Sequence, residues 1–254
     1  TRIANQAFYN CSELTEIILP NSIVQIVGTY AFYGCDSLET FIMPTDSPIT
    51  VITDNAFRNC AALTNVTLGD NIQSIGSYAF YQCSSLENIN IPENIDSIQI
   101  ESFQFCTSLT SVNIPNSIHT IWDRAFRGCT SLTDVIFEQN NPNAVIIRSN
   151  AFASCSSLNN VILPDIMYYK ISEYTFYGCS SLTNINLPSG LSLIEDRAFA
   201  LCPIESITIP AGVSIIENYA FQQCPLDEIF FEGNAPSIES NSIPNTYGIT
   251  VYYI

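Results

Sequence analysis

Positive charge is scarce in this chain, which carries 7 Lys and Arg against 24 Asp and Glu in 254 residues, for a formal net charge of −17. Proteins hold a phosphate backbone by releasing counterions to Lys and Arg, so nucleic acid is ruled out as a partner and anionic membrane surfaces are disfavoured. Long apolar runs are missing: none approaches the roughly 20 residues needed to cross a bilayer, so no membrane insertion is expected within the chain. No secretory leader precedes Thr1, which opens in mid-pattern and reads as the start of an excised domain or a processed chain. Histidine occurs once, as His119, and nothing in the sequence aims a nucleophile or an orienting carboxylate at it. The acidic residues, among them Glu13, Glu39, Glu87 and Glu205, are scattered without EF-hand spacing and read as a solvated surface. Neither G-x-x-x-x-G-K-[ST] nor G-x-G-x-x-G is present. The chain reads as a non-enzyme with no cofactor and no metal.

Cysteine, by contrast, is plentiful, and its placement organises everything else. The ten cysteines, from Cys11 and Cys35 to Cys202 and Cys224, follow one another at intervals of 22 to 26 residues. Each lies three residues after a phenylalanine, beginning Phe8, Phe32, Phe57 and Phe80, and eight of those phenylalanines follow an alanine. A fixed period of this length is the signature of a stacked array. The full line reads C-x-x-L-x-x-I-x-I-P-x-x-I-x-x-I-x-x-x-A-F-x-x, as in Cys83, Leu86, Ile89, Ile91, Pro92, Ile95 and Ile98. Insertions fall after the proline position, around Thr45–Ser47 and Gln139–Asn143, where loops on one edge of a coil would lie.

Period-2 alternation and branched side chains make the L-x-x-I-x-I stretch a half-buried strand, and proline stops it because it cannot donate to a ladder. The I-x-x-I pair returns along another side, and the three-residue spacing of A-F-x-x-C predicts a single helical turn. One unit of about 23 residues cannot bury its apolar face alone, whereas stacked coils can. Parallel strands at about 4.8 Å would give ten coils a curved rod roughly 50 Å long. Residues 1–231 are thus ten repeats, and 232–254, which lack A-F-x-x-C but end in alternation, read as a C-terminal capping segment. The cysteines lack the close pairs that a metal site needs. They read as a column of buried free thiols, with one or two disulfides between neighbouring coils as the alternative.

L-x-x-I-x-I-P followed by I-x-x-I and A-F-x-x-C resembles the BspA-like, or Treponema pallidum-type, leucine-rich repeat, and the likeness runs from Ile3 to about Phe231. The resemblance implies a right-handed leucine-rich repeat solenoid with a parallel sheet on its concave face, and short strands or single helical turns on the convex side. Asn71 and Asn94 hold the turn position after the strand, but Ser22, Ser117, Gly190 and Gly212 do not, so no continuous asparagine ladder is expected.

Alternation sends two residues of each concave strand outward. One row runs Ile18, Ile42, Thr67, Asn90, Asn113, Ile136, Ile162, Asn186, Thr208 and Phe230. Its partner row runs Glu16, Thr40, Asn65, Asn88, Ser111, Asp134, Asn160, Asn184, Ser206 and Glu228. Apolar pairs at Ile18/Ile42 and Ile136/Ile162, with Phe230, interrupt a polar sheet and mark a candidate contact site for a protein ligand. The plainer reading is that isoleucine simply suits a strand, or that the insertion near 139–143 covers it. Asn10 and Asn65 are N-x-[ST] acceptors, and a glycan on Asn65 would intrude on the concave face. BspA-like proteins are associated with microbial surfaces and adhesion. The resemblance therefore implies a monomeric adhesin-like recognition module at the cell surface or outside the cell, binding host or cell-surface proteins. The alternative is a cytoplasmic interaction scaffold, which unpaired thiols would suit.

Overall fold

The computed structural model describes residues 2–23, 25–139, 144–164, 166–244 and 248–254. It is a solenoid whose ten A-F-x-x-C coils stack along one axis, with every strand pair among the described residues parallel. Each coil contributes three walls. The concave wall carries the L-x-x-I-x-I strands, such as Ser111–Ile114 and Asp134–Phe137. A second wall carries two- or three-residue strands at the end of I-x-x-I, such as Ser97–Ile98 and Thr120–Ile121. The register is one residue per coil: Val112 faces Val135, and Val135 faces Val161.

The third wall, made by A-F-x-x-C, departs from the single helical turn that its spacing suggests. Among the described residues there is no helix. Two residues per coil, four apart, have positive φ, for example Glu101 at 54° and Phe105 at 62°. These left-handed positions flip alternate peptide planes, so the amides divide their bonds. The Cys106 amide donates within its own coil to the Phe103 carbonyl at 3.2 Å, whereas the Phe103 amide donates to the Ala125 carbonyl of the next coil at 2.9 Å. The wall is therefore a chain of turns cross-linked along the axis, satisfying backbone groups that a lone helical turn would leave open.

Behind the walls lie stacked columns of identical side chains. The phenylalanines from Phe8 to Phe221 form an unbroken stack with centroids 5.1–5.8 Å apart and planes within 10° of parallel. Beside them, the thiol of each cysteine from Cys35 to Cys224 donates to the phenylalanine carbonyl of the preceding coil at 3.0–3.2 Å. Cysteine recurs because this site needs a small apolar group that can also donate one hydrogen bond. All ten cysteines are unpaired, and only Cys11, at the first coil, is exposed. The asparagine column is partial, as the sequence implies: Asn71 and Asn94 donate to the turn carbonyls of Ser47 and Asp70 at 2.9 and 2.8 Å.

Residues 232–254 continue all three walls, the third through Ser242, whose carbonyl accepts the Phe221 amide at 2.8 Å beside left-handed Asn241. Ser237–Ile238 extends the second wall and Thr250–Tyr253 pairs with Glu228–Phe231 on the concave one. Val251, Tyr252, Tyr253 and Ile254 are exposed.

The left-handed positions allow a direct test of backbone strain. Gly128 has a φ of 73°, and a Cβ there would come within 2.5 Å of the Phe105 ring, whereas Gly178, with a φ of 70°, has nothing closer than 3.8 Å. Gly178→Ala should cost about 1–2 kcal/mol from the left-handed backbone alone. Gly128→Ala should cost about 1 kcal/mol more, because the ring must also move. Denaturant midpoints of the two variants read the difference. Equal losses would mean that the Phe105 ring yields freely.

Candidate functional site

The concave wall is not one sheet but three patches of three strands. The first joins Glu16–Ile18, Thr40–Ile42 and Asn65–Thr67. The second joins Ser111–Ile114, Asp134–Phe137 and Asn160–Ile162. The third joins Ser206–Ile209, Glu228–Phe231 and Thr250–Tyr253. The interruptions fall at Asn88-Ile89-Asn90 and Asn184-Ile185-Asn186, where no strand forms. Asparagine fits a pleated strand poorly and competes locally for backbone partners. Two of them flanking one isoleucine are the composition shared by both breaks.

The outward residues expected from alternation do lie outward, grouped by patch. In the first patch Ile18 sits beside Ile42, and Glu16, Thr40 and Asn65 form the adjoining row. Ile18 is 61% exposed. In the second, Ile136 sits beside Ile162 and Asn113, with Ser111, Asp134 and Asn160 alongside. Ile162 is also exposed, and Ile136 beside it is half-buried. Residues 140–143 of the adjacent insertion lie outside the described residues. Asn88, Asn90, Asn184 and Asn186 are exposed but belong to the breaks, so the structure does not join them to either row by backbone bonds.

Electrostatics on this face are local. The Asp134 carboxylate accepts the Thr133 hydroxyl at 2.6 Å and the Asn160 amide at 2.7 Å. These two hydrogen bonds hold it below the usual carboxylate range. In the third patch the Phe230 ring stacks on Tyr252 at 4.6 Å, and the Tyr252 hydroxyl donates to Glu228 at 3.2 Å. Tyr252 adjoins this candidate site although the repeat pattern does not supply it; the alternation of Thr250-Val251-Tyr252-Tyr253 carries the signal. Five of the seven cations are engaged internally. Arg58, Arg148 and Arg197 lie over aromatic rings, and Arg124 and Lys170 pair with Glu101 and Glu195. The excess negative charge is therefore left on the surface.

Among the described residues no group of three His, Cys, Asp or Glu is placed to hold a metal ion, and no helix is long and apolar enough to cross a membrane. His119 is exposed and contributes only its backbone, donating to Asp96 at 2.8 Å and accepting from Ile146 at 2.8 Å. Three cavities open on the concave side around Asn186, with volumes of about 310, 370 and 150 Å³.

Comparison with known proteins places this architecture. No curated protein matches the chain. Among solved structures, a leucine-rich repeat protein of T. pallidum (TpLRR) is 29% identical over 62% of this chain and 71% of its own length, with a TM-score of 0.56. The pneumococcal vaccine antigen PcpA is 22% identical over 99% of this chain and 65% of its own, with a TM-score of 0.64. A leucine-rich cell-surface protein of Faecalibacterium prausnitzii is 25% identical over 92% of this chain and 83% of its own, with a TM-score of 0.49. The model of the BspA type leucine-rich repeat region matches residues 1–75, 25–144 and 145–254. With the phenylalanine–cysteine column, the parallel concave strands and this match running the length of the sequence, the chain belongs to the BspA-type leucine-rich repeat family.

Proposed function

We propose that this chain is a non-enzymatic recognition module that binds a host or cell-surface protein through its concave face, at the cell surface or outside the cell. The observation that carries the reading is the pairing of outward isoleucines, exposed Ile18 with half-buried Ile42 and exposed Ile162 with half-buried Ile136, inside rows of Asn, Ser and Thr on one open face. Isolated isoleucines would simply suit a strand, but neighbouring ones offer a partner contiguous apolar area rimmed by hydrogen-bonding groups, the arrangement typical of protein interfaces. The contact residues in this reading are Ile18, Ile42, Asn65, Thr67, Asn88, Asn90, Ser111, Asn113, Asp134, Ile136, Asn160, Ile162, Asn184, Asn186 and Phe230. In the same reading, 1–231 are the repeats and 232–254 cover the last coil. The surface location rests on the family's association with microbial surfaces.

Fluorescently labelled chain should bind cultured host cells and lose that binding when surface proteins are shaved with protease. Asn113→Arg with Ile136→Arg should weaken binding by on the order of 100-fold, because a charge must then be desolvated at the centre of the contact. Binding that survives both shaving and these substitutions would refute the assignment. A cytoplasmic scaffold is the second reading, favoured by ten unpaired thiols, and fractionation of the full-length protein separates the two.

A further inference from the structure

The second break in the concave wall leaves a built recess. Residues 183–187 make no hydrogen bond with the rest of the described chain, so the main-chain groups of Asn184, Ile185 and Asn186 and both carboxamides stay available. Behind them the rings of Phe152 and Phe176 stand 5.8 Å apart, the widest step in the phenylalanine column. Two concave strands that would elsewhere join are parted here, and all three cavities named above share Asn186. The one of about 310 Å³ is lined by Asn184, Asn186, Ser206, Thr208, Phe230 and Glu232, among others.

The chemistry of that lining is specific. A carboxamide presents a donor and an acceptor side by side, which matches two neighbouring hydroxyls on a sugar ring. Asn184 and Asn186 each supply one, with the hydroxyls of Ser206 and Thr208 and the Glu232 carboxylate beside them. Phe230 supplies an apolar surface. Tyr252 covers one face of its ring at 4.6 Å, and Thr208, in register on the other side, is too short to cover the opposite face. An open aromatic face takes the C–H face of a pyranose. The volume is at the lower end of small-molecule sites, in keeping with one or two sugar rings. No Lys or Arg lines the recess, and the chain carries a net charge of −17, so an anionic sugar is disfavoured. An extended peptide would need a longer open edge than this short break provides.

We propose that this recess binds a neutral hexose or N-acetylhexosamine residue of a glycan. The proposal goes beyond the protein-recognition reading and does not rest on it, since a free polysaccharide and a glycan carried on a glycoprotein present the same ring. The test is binding of the whole chain to an array of neutral hexose and N-acetylhexosamine disaccharides, with sialylated counterparts and a neutral-glycan glycoprotein before and after deglycosylation. Neutral sugars should bind and sialylated ones should not. Asn186→Ala, at an exposed residue with no hydrogen bond to the other described residues, should lower affinity by roughly tenfold or more. Asn113→Arg with Ile136→Arg, which tests the protein contact, should leave sugar binding unchanged. Retention of the glycoprotein only before deglycosylation would identify the protein-linked source, and binding of the free disaccharides the polysaccharide source. No binding either to any neutral disaccharide or to the glycoprotein before deglycosylation, or equal binding by Asn186→Ala, would overturn the proposal.

Discussion

Phe126→Ala should destabilise the solenoid by about 3–5 kcal/mol, the range for removing a fully buried aromatic side chain from a well-packed core. Phe126 has no exposed surface, and its ring lies between those of Phe103 and Phe152 at 5.3 and 5.4 Å. Truncation removes both stacking contacts and leaves a void that neighbouring coils cannot close, because each is tied by its own ladders. For a chain of this size the melting temperature should fall by roughly 10 °C. The location matters as much as the size. A solenoid holds together through nearest-neighbour interfaces, so a lesion at the sixth coil weakens the link between two halves. Calorimetry of Phe126→Ala should show a broadened or split transition. Phe8→Ala, at a half-buried ring with a single stacking neighbour, should lower stability by about half as much without splitting the transition. Equal losses from the two variants would mean that the stack adds nothing beyond burial.

The fold is readable because the period repeats ten times, so that each copy corrects the noise in the others. Phe and Cys mark one point of the coil, and Leu and Ile mark the strand. What escaped reading is conformational detail that composition encodes weakly. A-F-x-x-C has helical spacing, yet the two left-handed residues per coil are held by Glu101 and Phe105 in one coil and Asn55 and Asn59 in another. Those identities share no turn chemistry, and the conformation is imposed by bonding to the next coil instead. The outward rows were legible from alternation alone, which fixes faces but not whether neighbouring strands join. The breaks at Asn88-Ile89-Asn90 and Asn184-Ile185-Asn186 depend on backbone spacing that periodicity does not carry. The Asn-x-Asn pair is the one local hint.

The cysteine column makes the protein's response to alkali its largest expected pH effect. Burial pushes up the thiols of Cys83, Cys106, Cys129, Cys155, Cys179 and Cys224, those of Cys155 and Cys224 to about 12. In the unfolded chain the same thiols ionise near the ordinary value of about 8.5. The folded state therefore keeps protons that the unfolded state has released. The stability is fully present below about pH 8.5 and is lost as pH rises toward the folded values. Each thiol removes about 1.4 kcal/mol per pH unit, so the six together remove about 8 kcal/mol per unit once their unfolded counterparts are ionised. A stability of about 5–15 kcal/mol would be exhausted about half a unit to two units above the unfolded value, and the solenoid should unfold cooperatively between about pH 9 and 10.5. Far-ultraviolet circular dichroism and thiolate absorbance, followed through one titration, should change together. Cys106→Ala should make the loss shallower by one proton's worth, about 1.4 kcal/mol per pH unit. Thiolates that appear near pH 8.5 while the circular dichroism stays native would show that solvent reaches the column, and that the thiol-to-carbonyl bonds between coils do not shield it.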